Sequence, residues 1–138
     1  MIKSFLVLIF IIFFSVNLAF ATSSYDTTGR KTGSIKETST GYNVYDKNGA
    51  KSGAYRKTNS GYNTYDRSGR KTGSYRETST GLNKYDATGK KIGSYRKNAN
   101  GTITIYDGSG RKTGTLKQTS NGGLVKYDRN GRKVGSWK

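Results

Sequence analysis

Residues 61–75 read GYNTYDRSGRKTGSY, and this stretch decides the fold because the rest of the chain repeats it. Its Tyr-Asp pair recurs at positions 25, 45, 65, 85, 106 and 127. Asp66 is followed three residues later by Gly69, which is typical of a turn in which Asp accepts backbone hydrogen bonds and Gly takes a positive φ. We therefore expect each Tyr-Asp site to begin a three- to four-residue hairpin turn that closes with a bulge.

A second turn punctuates each unit, at polar segments such as Ser39-Thr40-Gly41 and Asn59-Ser60-Gly61. Strands of about five to seven residues, rich in Tyr, Thr, Ile and Val, lie between the turns. Two strands in each repeat, with no helical period, predict an all-β tandem β-hairpin repeat array. Because repeats of this kind contact only their neighbours, we expect a solenoid or an elongated single-layer antiparallel sheet.

Large side chains recur at three fixed positions of the repeat, and all three sets are candidates for burial. The first set is Ile35, Tyr55, Tyr75, Tyr95, Leu116 and Trp137. The second set is Tyr42, Tyr62, Leu82, Ile103 and Leu124, and the tyrosines of the Tyr-Asp pairs form the third.

The N-terminal segment has the three parts of a secretory signal peptide. Lys3 provides the basic start, an apolar run continues to Phe20, and Ala19 and Ala21 are the small residues that a signal peptidase reads. The run is shorter than the roughly 20 apolar residues that a spanning helix needs, which disfavours an uncleaved membrane anchor. We predict a cleaved signal peptide over 1–21, a single β-repeat domain over 22–138 with about six units of which the last is truncated, and a secreted, periplasmic or cell-surface location without an integral membrane span.

The composition excludes most catalytic chemistry. The chain has no Cys and no His, so disulfides, thiol nucleophiles and His-dependent proton transfer are excluded. Its eight acidic residues are six turn Asp plus Glu37 and Glu77, which lie two units apart. One Asp in about 20 residues cannot gather the six or more oxygens that calcium needs. We predict a non-enzymatic protein with no metal and no cofactor.

The formal net charge of +17 points to anionic partners, and the cations are periodic. The first lysine series is Lys31, Lys51, Lys71, Lys91, Lys112 and Lys133. The second cationic series is Lys36, Arg56, Arg76, Arg96, Lys117 and Lys138, and the turn series is Arg30, Arg70, Lys90, Arg111 and Arg132. Equivalent side chains in successive hairpins would stand about 10 Å apart, in rows that suit a linear polyanion. The alternative is that these cations keep the sheet soluble and block edge pairing.

Aromatic residues are interleaved with these cations, which suggests stacking against sugars or bases. The stacking candidates are Tyr55, Tyr75, Tyr95 and Trp137. The alternative is that tyrosine only fills the positions between strands of a half-buried sheet.

The unit in residues 61–75 resembles the 20-residue cell-wall-binding repeats of the choline-binding type, in which an aromatic strand, an Asp/Asn-x-x-Gly turn and a second aromatic follow in that order. The resemblance implies a hairpin solenoid. The third position of the aromatic cage falls on Val44, Thr64 and Lys84. Arginines such as Arg76 lie beside the second aromatic and would repel the choline cation. We therefore do not expect choline as a ligand of this protein.

The Tyr-Asp-x-x-Gly-Arg pattern also resembles the YD repeats of Rhs and teneurin-like proteins. That resemblance implies strands of a large β shell, for which six units are too few to achieve closure.

Two functions follow from these observations. The first is an exported protein that binds acidic polysaccharide, lipopolysaccharide or extracellular DNA along its cationic rows. The second is a self-assembling structural fibre or adhesin subunit. The sequence reaches Trp137-Lys138 halfway through a unit, and an unpaired terminal strand there would allow homo-oligomers to form.

Overall fold

The computed structural model describes residues 22–138, and the predicted signal peptide lies outside them. These residues form twelve β-strands and no helix. The strands are β1 (Thr22–Tyr25), β2 (Lys31–Thr38), β3 (Gly41–Asp46), β4 (Lys51–Thr58), β5 (Gly61–Asp66), β6 (Lys71–Glu77), β7 (Gly81–Asp86), β8 (Lys91–Lys97), β9 (Ile103–Asp107), β10 (Lys112–Gln118), β11 (Leu124–Asp128) and β12 (Lys133–Trp137). The predicted all-β tandem hairpin array is confirmed.

The sheet is closed, because β12 pairs with β1 and the strands follow chain order around a barrel. Trp137 lies opposite Ser24 in this closing ladder. The ladder ends in two backbone hydrogen bonds of 3.0 and 3.1 Å between Ser23 and Lys138. The expectation of an open solenoid or single-layer sheet is therefore wrong, and six hairpins suffice for closure.

Closure of the barrel also pairs the last strand, which the sequence predicted to be unpaired. The strand β12 is hydrogen-bonded on both sides, to β11 and to β1, so it is not an unpaired terminal strand. The strand β1 supplies the return strand that this unit lacks in the sequence. The predicted homo-oligomer contact through an unpaired strand at Trp137 is therefore wrong for residues 22–138, because β12 is already paired on both edges.

Regular bulges explain why the sheet curves. Each of the six hairpins that contain an Asp-x-x-Gly turn shows a register shift next to the turn, for example between Val44 and Tyr45. The ladders that follow the second type of turn run without a shift, as between β2 and β3. A bulge bends its strand and increases the local twist. Six equivalent bulges repeat that bend around the sheet, as barrel closure requires.

The core lies inside the barrel and consists of the first two sets of large side chains. Leu82, Ile103 and Leu116 have no exposed surface, and Trp137 is 3% exposed. The third set, the tyrosines of the Tyr-Asp pairs, was wrongly included among the burial candidates. Side chains alternate along a strand, so Tyr45 must face outward when Val44 faces the core. All six of these tyrosines are only partly buried, on the outer face.

One end of the barrel interior is closed by the second set of large side chains. The rings of Tyr42 and Tyr62 have centroids 6.1 Å apart and are tilted by 43° to each other. Burial raises the pKa of Tyr42 above its ordinary value, and the neighbouring Tyr62 and Glu37 raise it further. We call the other end, where the six Asp-x-x-Gly turns lie, the Asp-turn end.

Candidate functional site

The outer face of the barrel brings tyrosines and cations together. The second cationic series and the Tyr-Asp tyrosines share this face because their positions are diagonal across neighbouring strands. The guanidinium carbon of Arg76 lies 5.0 Å from the ring centroid of Tyr85. The Nζ atom of Lys117 lies 5.3 Å from the ring of Tyr127. Such contacts hold the cationic groups over aromatic faces and keep them at the surface.

Arg56 belongs to the same series but is held differently. Its Nη1 and Nη2 atoms donate to Oδ1 of Asn43, each at 3.3 Å, and Nη1 also donates to the carbonyl oxygens of Tyr42 and Tyr55. The guanidinium is thus bound down against the barrel wall, which leaves it fewer donors for an external anion.

The Asp-turn end has a repeated local structure. In each turn Oδ1 of the Asp accepts hydrogen bonds from two backbone amides, which in the third turn are those of Ser68 and Arg70, both at 2.9 Å. The amide of Gly69 donates to the carbonyl oxygen of Asp66 at 3.1 Å, and Gly69 has a φ of 82°. The turn chemistry predicted from Asp-x-x-Gly is confirmed, and these hydrogen bonds fix the side chains that follow the glycine.

Fourteen cations lie in or next to these six turns, together with the six Asp. They include the whole first lysine series and the whole turn series. The fourteen are Arg30, Lys31, Lys47, Lys51, Arg67, Arg70, Lys71, Lys90, Lys91, Arg111, Lys112, Arg129, Arg132 and Lys133. Among the described residues one ion pair joins this set to an Asp, in which Nη2 of Arg67 lies 3.8 Å from Oδ2 of Asp46. Positive charge therefore exceeds negative charge at this end of the barrel.

The sequence predicted straight rows of equivalent cations. Because the sheet closes into a barrel, each row runs around the barrel axis as a ring. Twelve strands tilted as in other barrels give a backbone diameter of about 24 Å. Equivalent cations of successive hairpins therefore turn away from one another around the axis, and a straight polymer cannot follow a whole series. The Asp-turn end is the surface on which cations from all six hairpins lie together.

The four stacking candidates lie inside the barrel. Tyr55, Tyr75, Tyr95 and Trp137 are 7, 4, 8 and 3% exposed. The rings of Tyr55 and Tyr75 have centroids 6.4 Å apart, and burial raises the pKa of both hydroxyls. A polymer on the outer surface cannot reach these ring faces, so stacking by them is open only to a ligand inside the barrel.

Two lysines that were not among the predicted site residues lie in the barrel interior. Lys84 and Lys126 occupy the position that Val44 and Thr64 fill in other repeats, and each lies opposite a core residue or a glycine of the neighbouring strands. The sequence alone could have predicted this for Lys84, because it lies two residues after Leu82 on the same strand and must share its face of the sheet. Burial lowers the pKa of Lys84, and burial together with the charge of Lys84 lowers the pKa of Lys126.

The barrel interior contains a cavity that opens at the Asp-turn end, which we call the lumen cup. Its volume is about 380 Å³. Lys84 lines its wall, Tyr55 and Tyr75 lie at its base, and Ile92 lies at its mouth with 40% exposure. The cup is a second candidate site, distinct from the cationic outer surface.

Comparisons with protein-family models, with curated proteins and with solved structures found no match to the chain. Within residues 22–138, no group of three or more acidic side chains is placed to hold a metal ion. The same residues contain no helix with the length and apolar character needed to cross a membrane.

Proposed function

We propose that the protein is an exported, non-enzymatic binding protein that holds an anionic polymer at the Asp-turn end of its barrel. The polymer is an acidic polysaccharide, the phosphates of lipopolysaccharide, or extracellular DNA. The observation that carries this proposal is the concentration of fourteen cations in or next to six turns at one end, where Oδ1 of each Asp already accepts hydrogen bonds from its own turn.

The charge balance supports an anionic partner over simple solubility. A large net charge of either sign keeps a protein soluble, whereas this chain has 25 basic and 8 acidic residues. The predicted signal peptide supports an extracellular polymer.

The barrel shape sets a limit on the contact. A polymer that crosses an end about 24 Å wide meets roughly seven phosphates of one DNA strand, at 3.4 Å each. With about 0.9 counterions released for each neutralised phosphate, the slope of log affinity against log salt should not exceed about 6 in magnitude. A polymer that wrapped around all fourteen cations would give a slope of about 13.

Salt titration of duplex DNA and heparin binding tests the proposal. The triple variant Lys51→Gln, Lys71→Gln and Lys91→Gln should weaken binding and reduce the magnitude of the DNA salt slope by up to about 3, since each lost phosphate contact removes about 1. The matched control Arg56→Gln, Arg76→Gln and Arg96→Gln removes the same charge from the outer wall and should change the slope less. Equal effects of the two triples, or no binding to either polymer at low salt, would refute the proposal.

Self-assembly remains the alternative that the sequence suggested, but a free β12 can no longer support it. Sedimentation of the protein at high concentration tests association through any other surface.

A further inference from the structure

Glycine recurs at an interior position of alternate strands, and one of these glycines, Gly53, lines the lumen cup. The six glycines are Gly33, Gly53, Gly73, Gly93, Gly114 and Gly135. They face the interior, and each lies opposite a core position of a neighbouring strand. A Cβ atom on Gly53 would lie 2.7 Å from the carbonyl oxygen of Tyr65 on the next strand, and one on Gly33 would lie 2.6 Å from that of Tyr45. The close approach of strands therefore crowds out a side chain at Gly33, Gly53, Gly73 and Gly114, whereas at Gly135 the nearest carbonyl oxygen lies at an ordinary contact distance of 3.5 Å.

The wall of the cup combines hydroxyl groups with aromatic and apolar surface. Oγ of Ser24 lies 2.9 Å from Oγ1 of Thr32, and Oγ1 of Thr64 lies 2.9 Å from Oγ1 of Thr72. All four side chains line the cup. These hydroxyl pairs form on two sides of the cavity and offer hydrogen bonds to a polar ring that sits above the tyrosines.

The charge inside the cup is positive. Nζ of Lys84 lies 5.9 Å from the ring centroid of Tyr75, and the charge of Lys84 reaches Lys126. Asp46 also lines the cup, but its Oδ1 accepts the amides of Asn48 and Ala50 and its Oδ2 lies near Arg67. Lys84 is therefore the cationic side chain that an entering ligand meets in the wall of the cup.

We propose that the lumen cup binds a small acidic sugar, with its carboxylate toward Lys84, its hydroxyls on the Ser and Thr pairs, and its ring over Tyr55 and Tyr75. The volume is at the lower end of the range of about 300–1,000 Å³ that is usual for small-molecule sites, which suits one or two rings. An acidic sugar is the class that uses all three features of the wall. The cup opens at the same Asp-turn end on which the polymer is proposed to lie, but it is lined by side chains other than the turn cations.

Calorimetric titration with glucuronate, glucose and benzoate tests the site. Glucuronate should bind saturably at one molecule per chain, and glucose and benzoate should bind more weakly. Lys84→Met should weaken glucuronate binding about tenfold or more, because it removes a charge-assisted hydrogen bond. The matched control Lys36→Met removes a lysine from the outer face and should leave glucuronate binding unchanged.

Methyl NMR signals give a readout that locates the ligand. Val44 and Ile92 line the cup and their signals should shift with glucuronate, whereas that of Val125, on the outer face, should not. Equal binding of glucose, stronger binding of benzoate, or equal effects of Lys84→Met and Lys36→Met would each overturn the proposal. DNA binding by Lys84→Met should keep its salt slope, so the lumen site and the polymer site can fail separately.

Discussion

Replacement of Trp137 by Ala tests the closure of the barrel at its weakest ladder. Two residue pairs, one of them Trp137 with Ser24, join β12 to β1, whereas the ladder between β4 and β5 has six pairs. Trp137 is 3% exposed and belongs to the core cluster. Removal of a buried Trp or Phe side chain costs about 3–5 kcal/mol of unfolding free energy.

The expected size of the effect is a large part of the total stability. Domains have about 0.05–0.15 kcal/mol of unfolding free energy per residue, which gives roughly 6–18 kcal/mol for residues 22–138. The melting temperature should fall by roughly 10–20 °C, at about 4 °C for each kcal/mol in a domain of this size. Urea unfolding followed by circular dichroism measures the change in free energy.

Amide hydrogen exchange distinguishes barrel opening from a general loss of core packing. In Trp137→Ala, exchange should accelerate first in β1 and β12, because their ladder is short and loses its buried anchor. Leu82→Ala is the matched control: Leu82 is fully buried on β7, across the barrel from the closing ladder. It should cost about 2–5 kcal/mol without selective exchange in β1 and β12. A loss below about 1 kcal/mol in Trp137→Ala, or equal exchange patterns, would refute this account of closure.

Three further predictions concern single side chains. Gly73→Ala should lower the free energy of unfolding by about 1–3 kcal/mol in urea titrations, because its Cβ would overlap the carbonyl oxygen of Tyr85; wild-type stability would contradict the proposed close approach. The Thr88 hydroxyl, followed by the backbone amide of Lys90, lowers the pKa of Asp86. The ionised Asp86 carboxylate therefore stabilises the folded state above the unfolded pKa of about 3.9, and this stabilisation is lost as the pH falls through the lower pKa of the folded state. The melting temperatures of wild type and Asp86→Asn should consequently converge in acid. Burial lowers the pKa of Lys84, so the folded state binds fewer protons and gains stability as the pH rises through that pKa. Lys84→Met should raise the melting temperature at neutral pH, with a gain that shrinks toward pH 10, and a lower melting temperature at neutral pH would contradict the burial cost.

The local elements of the fold could be predicted from the sequence because they depend on neighbouring residues. Asp66 and Gly69 define their turn through hydrogen bonds within five residues, and the bulge beside that turn followed from the same pattern. Closure could not be predicted in this way. It depends on the curvature that six bulges add together and on a pairing between Ser24 and Trp137, for which no local pattern exists.

For the candidate site, too, the local features could be predicted from the sequence and the features that depend on barrel closure could not. The cationic series were visible as a period in the sequence, but their arrangement in rings follows from closure. The interior position of Lys84 could have been found by counting two residues from Leu82 on the same strand. The lumen cup itself could not, because its space depends on strands that are brought together only in the closed barrel.

The pairing of the first and last strands also divides the folding reaction into two kinds of step. Every other ladder joins consecutive strands and can form soon after a hairpin turn, whereas the closing ladder joins residues 113 positions apart. The loop entropy lost in that contact grows only with the logarithm of loop length, and most of the loop is already ordered when the ends meet. Hairpins should therefore form fast, and a curved sheet with two exposed edges should be the species from which both closure and aggregation proceed.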